Sequence, residues 1–225
     1  PNDAQLKHHI ESAEYRVIIT STMEKFFKDD ISVKVPDRQA DVALARNEYE
    51  GFQLLIIPAG KNLHKVQVKS SDFQSKDGKN IIKSENIAIS VVGYVETQKP
   101  NYPIEPNRIG LWPDPLLPNE PFELNQGEIQ PVWINIYAPA DVSAEDYFGD
   151  ITVSAENSHT VVVPVKVKVW DFTLPVTPHL RTAFTFSKWC VEHWYTQRMS
   201  KEKTREWYLF LLKHRISPTT LYPSN

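Results

Sequence analysis

Between Phe186 and Tyr195 the chain reads Phe186-Ser187-Lys188-Trp189-Cys190-Val191-Glu192-His193-Trp194-Tyr195. A hydroxyl, two indoles, a carboxylate, an imidazole and the chain's one cysteine crowd together there. Flat aromatic faces beside a few polar groups suit a sugar, whose C–H face stacks on an indole. Trp189, Trp194 and Ser187, with Tyr222 further on, are the substrate-binding candidates; their competing role is packing. Glu192 and His193 have the types needed for acid–base chemistry. No third residue completes a relay, so a solvated pair is the better reading. Cys190 would need a positioned base to act as a nucleophile, and a buried structural thiol is the commoner fate. No catalytic residue is assigned within this sequence.

A second group, Asp141, Glu145, Asp146 and Asp150, offers oxygen ligands of the kind calcium takes. The spacing matches no standard loop, and such residues also favour turns. We expect no metal and no cofactor. Tyr147 reads as a tyrosine corner, its hydroxyl bonded to nearby backbone. His8-His9 sits in a polar, unpatterned arm and needs no functional reading.

Composition narrows the partners. Net charge is −3, so no strong field points to nucleic acid. No apolar run is long enough to span a membrane. One cysteine excludes an internal disulfide. No signal peptide is visible, and the start Pro1-Asn2-Asp3 reads as a chain trimmed of its leader.

These groups need elements to hold them. Strands are expected at residues 15–22 and 31–35, and residues 41–58 read as strand, turn at Arg46-Asn47-Glu48, then strand. Further strands follow at 65–73, 87–95, 130–137, 149–156 and 160–171, the last alternating at Val161, Val163, Val165, Val167 and Val169. The proline-rich stretch 101–123 reads as a rigid apolar loop. Strands at this spacing predict a β-sandwich of immunoglobulin-like or jelly-roll-like type. From Leu180 the pattern changes to a buried strand at 180–186, an aromatic loop, a helix capped by Ser200, and a strand at 217–222. Trp207, Tyr208, Leu211 and Leu212 form one stripe of that helix. This is the first βαβ unit of a (β/α)8 barrel, which needs about 250 residues. The chain is therefore expected to be mainly β: a loose arm at 1–14, a sandwich at 15–172, a linker at 173–179, and the start of a truncated catalytic barrel at 180–225. In a barrel the active site gathers at the C-terminal strand ends, which is where Ser187, Trp189 and Tyr222 fall.

Several runs resemble one bacterial family. Arg46-Asn47-Glu48-Tyr49-Glu50-Gly51-Phe52-Gln53 resembles its first-domain hairpin. The Trp112-Pro113-Asp114-Pro115-Leu116 run, Tyr147-Phe148-Gly149-Asp150-Ile151-Thr152-Val153, the hinge Trp170-Asp171-Phe172-Thr173-Leu174-Pro175 and Leu212-Lys213-His214-Arg215-Ile216-Ser217-Pro218 fit it in order. The family is glycoside hydrolase family 123, with relatives grouped as domain of unknown function 4091. The resemblance covers nearly everything after Tyr15. It implies an N-terminal β-sandwich ahead of a catalytic barrel, and an exo-acting β-N-acetylgalactosaminidase or related glycosidase. It implies substrate-assisted retaining hydrolysis, with the substrate's own 2-acetamido oxygen as nucleophile. It implies a glycan substrate and a secreted or periplasmic protein, or a cell-surface lipoprotein. The family's catalytic Asp-Glu step does not occur in this sequence; Glu145-Asp146 is the reverse order.

The alternative is a non-catalytic carbohydrate-binding or structural sandwich. A binding module should expose aromatics on one sheet face, whereas Trp133 and Trp170 read as core. The apolar stripe at 207–212 argues for more chain around it. Left uncovered, segment 180–225 should self-associate through its free edge.

Overall fold

The computed structural model describes residues 14–30, 39–101, 103, 108–180 and 182–219. The arm up to residue 13 with His8-His9, the expected strand at 31–35, and Tyr222 lie outside the described residues. The chain divides into two compact units, Pro1–Thr173 and Leu174–Asn225.

In the first unit the strands are β1 (Tyr15–Ser21), β2 (Ala40–Arg46), β3 (Glu48–Pro58), β4 (Leu63–Ser70), β5 (Phe73–Ser75), β6 (Ile81–Ile82), β7 (Ile87–Thr97), β8 (Gly110–Pro118), β9 (Phe122–Leu124), β10 (Gln130–Ala138), β11 (Asp146–Ala155) and β12 (Ser158–Thr173). One sheet runs β1-β3-β10-β7-β8. The other runs β2-β12-β11-β4-β9, with β5 and β6 attached beside β11. Alternate residues of both sheets meet in one core: Phe52, Leu54 and Ile56 of β3 and Val132, Ile134 and Ile136 of β10 face Ile151 and Val153 of β11 and Val161 to Val169 of β12. That is a sandwich built by period-two burial of β-branched side chains. Tyr15 ties the layers, its hydroxyl reaching the carbonyls of Val153 at 2.9 Å and His159 at 2.8 Å.

The run Arg46 to Gln53 is not a hairpin. β2 pairs in parallel with β12 in one sheet, while β3 pairs with β1 and β10 in the other. The chain changes layers at Asn47, whose φ of 58° is left-handed and suits asparagine. Asn47 donates its backbone N–H to Ala138 O at 2.7 Å and accepts from the Tyr137 hydroxyl at 2.9 Å. Glu48 takes the Ala45 N–H, and Arg46 reaches Asp171 and Thr173. A side chain at Gly51 would come within 2.5 Å of Ile134 O, so only glycine allows the approach of β3 to β10.

The proline-rich stretch contains a strand rather than a loop throughout. β8 pairs with β7 from Thr97↔Gly110 to Ser90↔Pro118, with a register shift between Val92 and Tyr94. It is the outermost strand, and an edge tolerates residues without an N–H. Two aromatic placements also differ from expectation. Trp170 is 42% exposed, with Lys168 Nζ 4.0 Å from its ring centroid. The valines at odd positions already hold the core face of β12, which leaves the even position outside. Trp133 lies between core residues Val132 and Ile134 and so sits on the outer face of β10, half-buried. Tyr147 is the expected corner: fully buried, donating to Ser143 O at 2.8 Å.

The second unit contains β13 (Phe184–Thr185), α1 (Lys188–Tyr195), α2 (Lys201–Lys213) and β14 (Pro218–Thr219). β13 and β14 pair in parallel, Phe184↔Pro218 and Thr185↔Thr219. The strand expected at 180–186 shrinks to two exposed residues. No residue of either helix is buried.

Candidate functional site

The expected aromatic loop after β13 is helix α1. Ser187 is its N-cap, its hydroxyl accepting the Cys190 N–H at 3.2 Å. That bond satisfies one of the first-turn amides that a helix leaves unpaired. The signal was present as a serine three residues ahead of Cys190, but aromatic crowding obscured it. Thr196 closes the helix with φ 49°.

Helical spacing then sets the rings. Trp189 and His193, four apart, stack at 5.1 Å with 15° between planes, and Trp194 meets His193 edge-on at 6.1 Å. Trp189 is 69% and Trp194 82% exposed, so neither packs a core within this chain. Glu192 is spoken for: it accepts the Met199 N–H at 2.8 Å, with Lys188 Nζ at 3.6 Å. It fixes the turn between α1 and α2 instead of facing His193 as an acid–base partner. Cys190 is exposed, not a buried structural thiol. The structure brings Ser187, Trp189 and Trp194 onto one short helix directly after β13, and Tyr222 lies outside the described residues.

α2 is capped by Ser200, which accepts the Lys203 N–H at 3.1 Å. Trp207 and Tyr208 meet Phe186 at 6.0 and 5.4 Å. The helix is apolar beyond one stripe: Leu209 and Leu212 line a groove of about 550 Å³ with Val176, Pro178 and Leu180.

In the first unit the acidic group does not converge. Glu145 accepts from Asn80 Nδ2 at 2.6 Å, and Asp146 pairs with Lys166 at 2.8 Å. Among the described residues no three His, Cys, Asp or Glu side chains gather as metal ligands would. An opening of about 730 Å³ lies at the edge of the sandwich between β1 and β2, lined by Ser21, Gln39, Asp41 and Glu50, and it contains none of the candidate residues. No helix among the described residues is long and apolar enough to cross a membrane.

Comparison with known proteins agrees with this architecture. Residues 19–155 match the glycoside hydrolase 123 N-terminal domain. The structure is similar to a family 123 glycoside hydrolase from Clostridium perfringens, studied for glycolipid glycan hydrolysis, at 19% identity and a TM-score of 0.68. The match covers 87% of this chain and 34% of that one, so the chain spans about a third of its length. AvmM, which catalyses macrocyclization in alchivemycin A biosynthesis, aligns at 8% identity over 73% of this chain and 93% of its own, with a TM-score of 0.39. The periplasmic chaperone SfaE aligns at 11% over 75% and 65%, with a TM-score of 0.34. No curated protein matches the sequence. With its two-sheet sandwich and a family match over more than half its residues, the chain belongs to the glycoside hydrolase 123 N-terminal domain family.

Proposed function

We propose that this chain is the accessory sandwich and barrel start of a glycosidase that removes terminal sugars from glycans. The activity is that of an exo-acting β-N-acetylgalactosaminidase or a near relative. Residues 15–172 brace the catalytic domain, 173–179 link to it, and 180–225 open a (β/α) barrel. One observation carries this beyond family membership: β13 and β14 are parallel and joined through two helices. Parallel strands with a helical crossover are the unit from which such barrels are built. Ser187, Trp189 and Trp194 follow the C-terminal end of the first strand, and Tyr222 follows the second. Those strand ends are where barrel enzymes bind substrate.

In this reading Trp189 and Trp194 present stacking faces to the sugar, and Ser187 holds α1 so that they are fixed. The substrate's 2-acetamido oxygen attacks the anomeric carbon while the bond to the leaving oxygen breaks. An acid protonates that oxygen, a neighbouring carboxylate orients the amide, and water then opens the cyclic intermediate with retention. The acid and carboxylate are an Asp-Glu pair outside this sequence, and the 225-residue chain alone is inactive. Glycans at or beyond the cell surface place the protein in the periplasm, outside the cell, or on the surface through a lipid.

The test is incubation of the full-length protein with an oligosaccharide ending in β-linked N-acetylgalactosamine. Release of the terminal sugar alone is expected, with Trp189→Ala raising KM more than it lowers kcat. No release, or cleavage at internal linkages, contradicts the reading.

A further inference from the structure

Among the described residues of the first unit, the outer face of the five-stranded sheet is covered at one end and exposed or half-exposed at the other. At the closed end Phe26 packs on Ile18, Leu55, Ile57 and Ile129. Gln53 donates to the carbonyls of Ser21 and Glu24, and the Tyr94 hydroxyl to that of Phe26. At the open end the register sets Tyr49 opposite Tyr137, Gly51 opposite Asn135, and Gln53 opposite Trp133. Asn135 also pairs with Ala88 of β7. Core residues occupy the alternate positions of β3 and β10, so these rows face outward.

The result is a trough across the strands. Its floor is Gly51, Asn135 and Ala88, one row of small or polar residues. One wall is the Tyr49–Tyr137 stack, centroids 4.5 Å apart. The other wall is Trp133. The walls stand four residues apart along β10, about 13 Å, wide enough for a pyranose ring between them. Tyr49 is 39% exposed, and Trp133, Asn135 and Tyr137 are half-buried. The Tyr137 hydroxyl is held by Asn47, which locks the stack in place. The Trp133 indole N–H, the Asn135 carboxamide and the Tyr49 hydroxyl have no protein partner among the described residues. Because none of these atoms is both buried and unpartnered, each stays open to a ligand from solvent. Tyr49, Gly51, Ala88, Trp133, Asn135 and Tyr137 are all uncharged.

Stacking faces, unpaired donors and acceptors, and no charge select an uncharged polyhydroxylated ligand. We propose that this trough is a glycan-binding site, separate from the residues after β13 and independent of whether those serve a hydrolase. Tyr49 and Trp133 grip the C–H faces of a sugar, and Asn135 and the indole N–H bond its hydroxyl or acetamido groups.

The 225-residue chain carries six tryptophans, and labelling with 5-fluorotryptophan gives each its own fluorine resonance. Trp133→Phe assigns one. The probe is a panel of neutral oligosaccharides of glucose, galactose, mannose and their 2-acetamido derivatives, run at low and high salt. Expected is a saturable, salt-insensitive shift of the Trp133 resonance with at least one glycan. Asn135→Ala, at an outward position, should weaken it about tenfold without moving the unfolding midpoint, and Tyr49→Ala should weaken it as much while also losing the ring stack's contribution to stability. No Trp133 shift at millimolar sugar, or shifts confined to Trp189 and Trp194, overturns the proposal. So does a Trp133 resonance shielded from solvent in the full-length protein, which would mean that another segment sits on the face.

Discussion

Residues that look functional in the motifs prove to be devices of the fold. Gly149 is the sharpest case: a side chain there would fall 1.9 Å from Phe73 Cδ1. Gly149→Ala should destabilise the first unit by about 1–3 kcal/mol. Gly60→Ala, with nothing within 4 Å of the added carbon, should change little; urea unfolding of both variants gives the comparison. Tyr15 and Tyr147 are fully buried, and burial pushes both phenols up to about 12 from an ordinary 10.0. The unfolded chain therefore releases these protons first. Stability is intact below about pH 10 and falls as pH rises from 10 to 12. Following the unfolding midpoint across that window should show the fall, and Tyr15→Phe should flatten it. The tyrosine corner was legible because its geometry is local: a hydroxyl reaching a carbonyl four residues back. Trp133 and Trp170 were not, because their facing depends on which parity of the strand the core takes. The valines of β12 and the isoleucines of β10 settle that parity only once the strands are paired.

At the level of elements, alternation located most strands but could not say to which sheet they belong. A left-handed Asn47 reads as a turn in either case, and a hairpin and a change of layer share that signal. The proline-rich β8 was hidden because an edge strand needs only some of its N–H groups. Helix α1 was hidden by its own aromatics, although Ser187 marked its start. Ser187→Ala should cost about 1 kcal/mol locally. Hydrogen exchange should then speed up in residues 188–195 while β10 and β12 remain protected. α2 carries a consequence for the 225-residue chain. Leu209 is 48% and Phe210 54% exposed, too much apolar surface for a helix in water. The chain should self-associate with rising concentration in sedimentation experiments, and Leu209→Glu with Leu212→Lys should suppress it. A monomer at every concentration would show that these faces are satisfied some other way.

For the whole molecule, the sandwich and the family were both readable. Five short runs in fixed order specify an architecture even where each is weak alone. Most of those runs are spent on the fold: the Arg46–Gln53 run on a change of layers, the Trp112 run on an edge strand, the Tyr147 run on a corner and a glycine contact. That is why they speak to architecture and leave substrate to other residues. The candidate site was legible only in part. Ser187, Trp189 and Trp194 were singled out by residue type and position and remain candidates, while the outward facing of Trp133 was missed because it was taken for core. The central claim is that the protein turns over sugars whose own acetamido group does the chemistry. The direct measurement is initial rates of the full-length protein on two aryl β-galactosides, one bearing a 2-acetamido group and one a 2-hydroxyl. Hydrolysis of the first and none of the second is the result predicted. Equal rates on both, or no hydrolysis of either, would contradict the account.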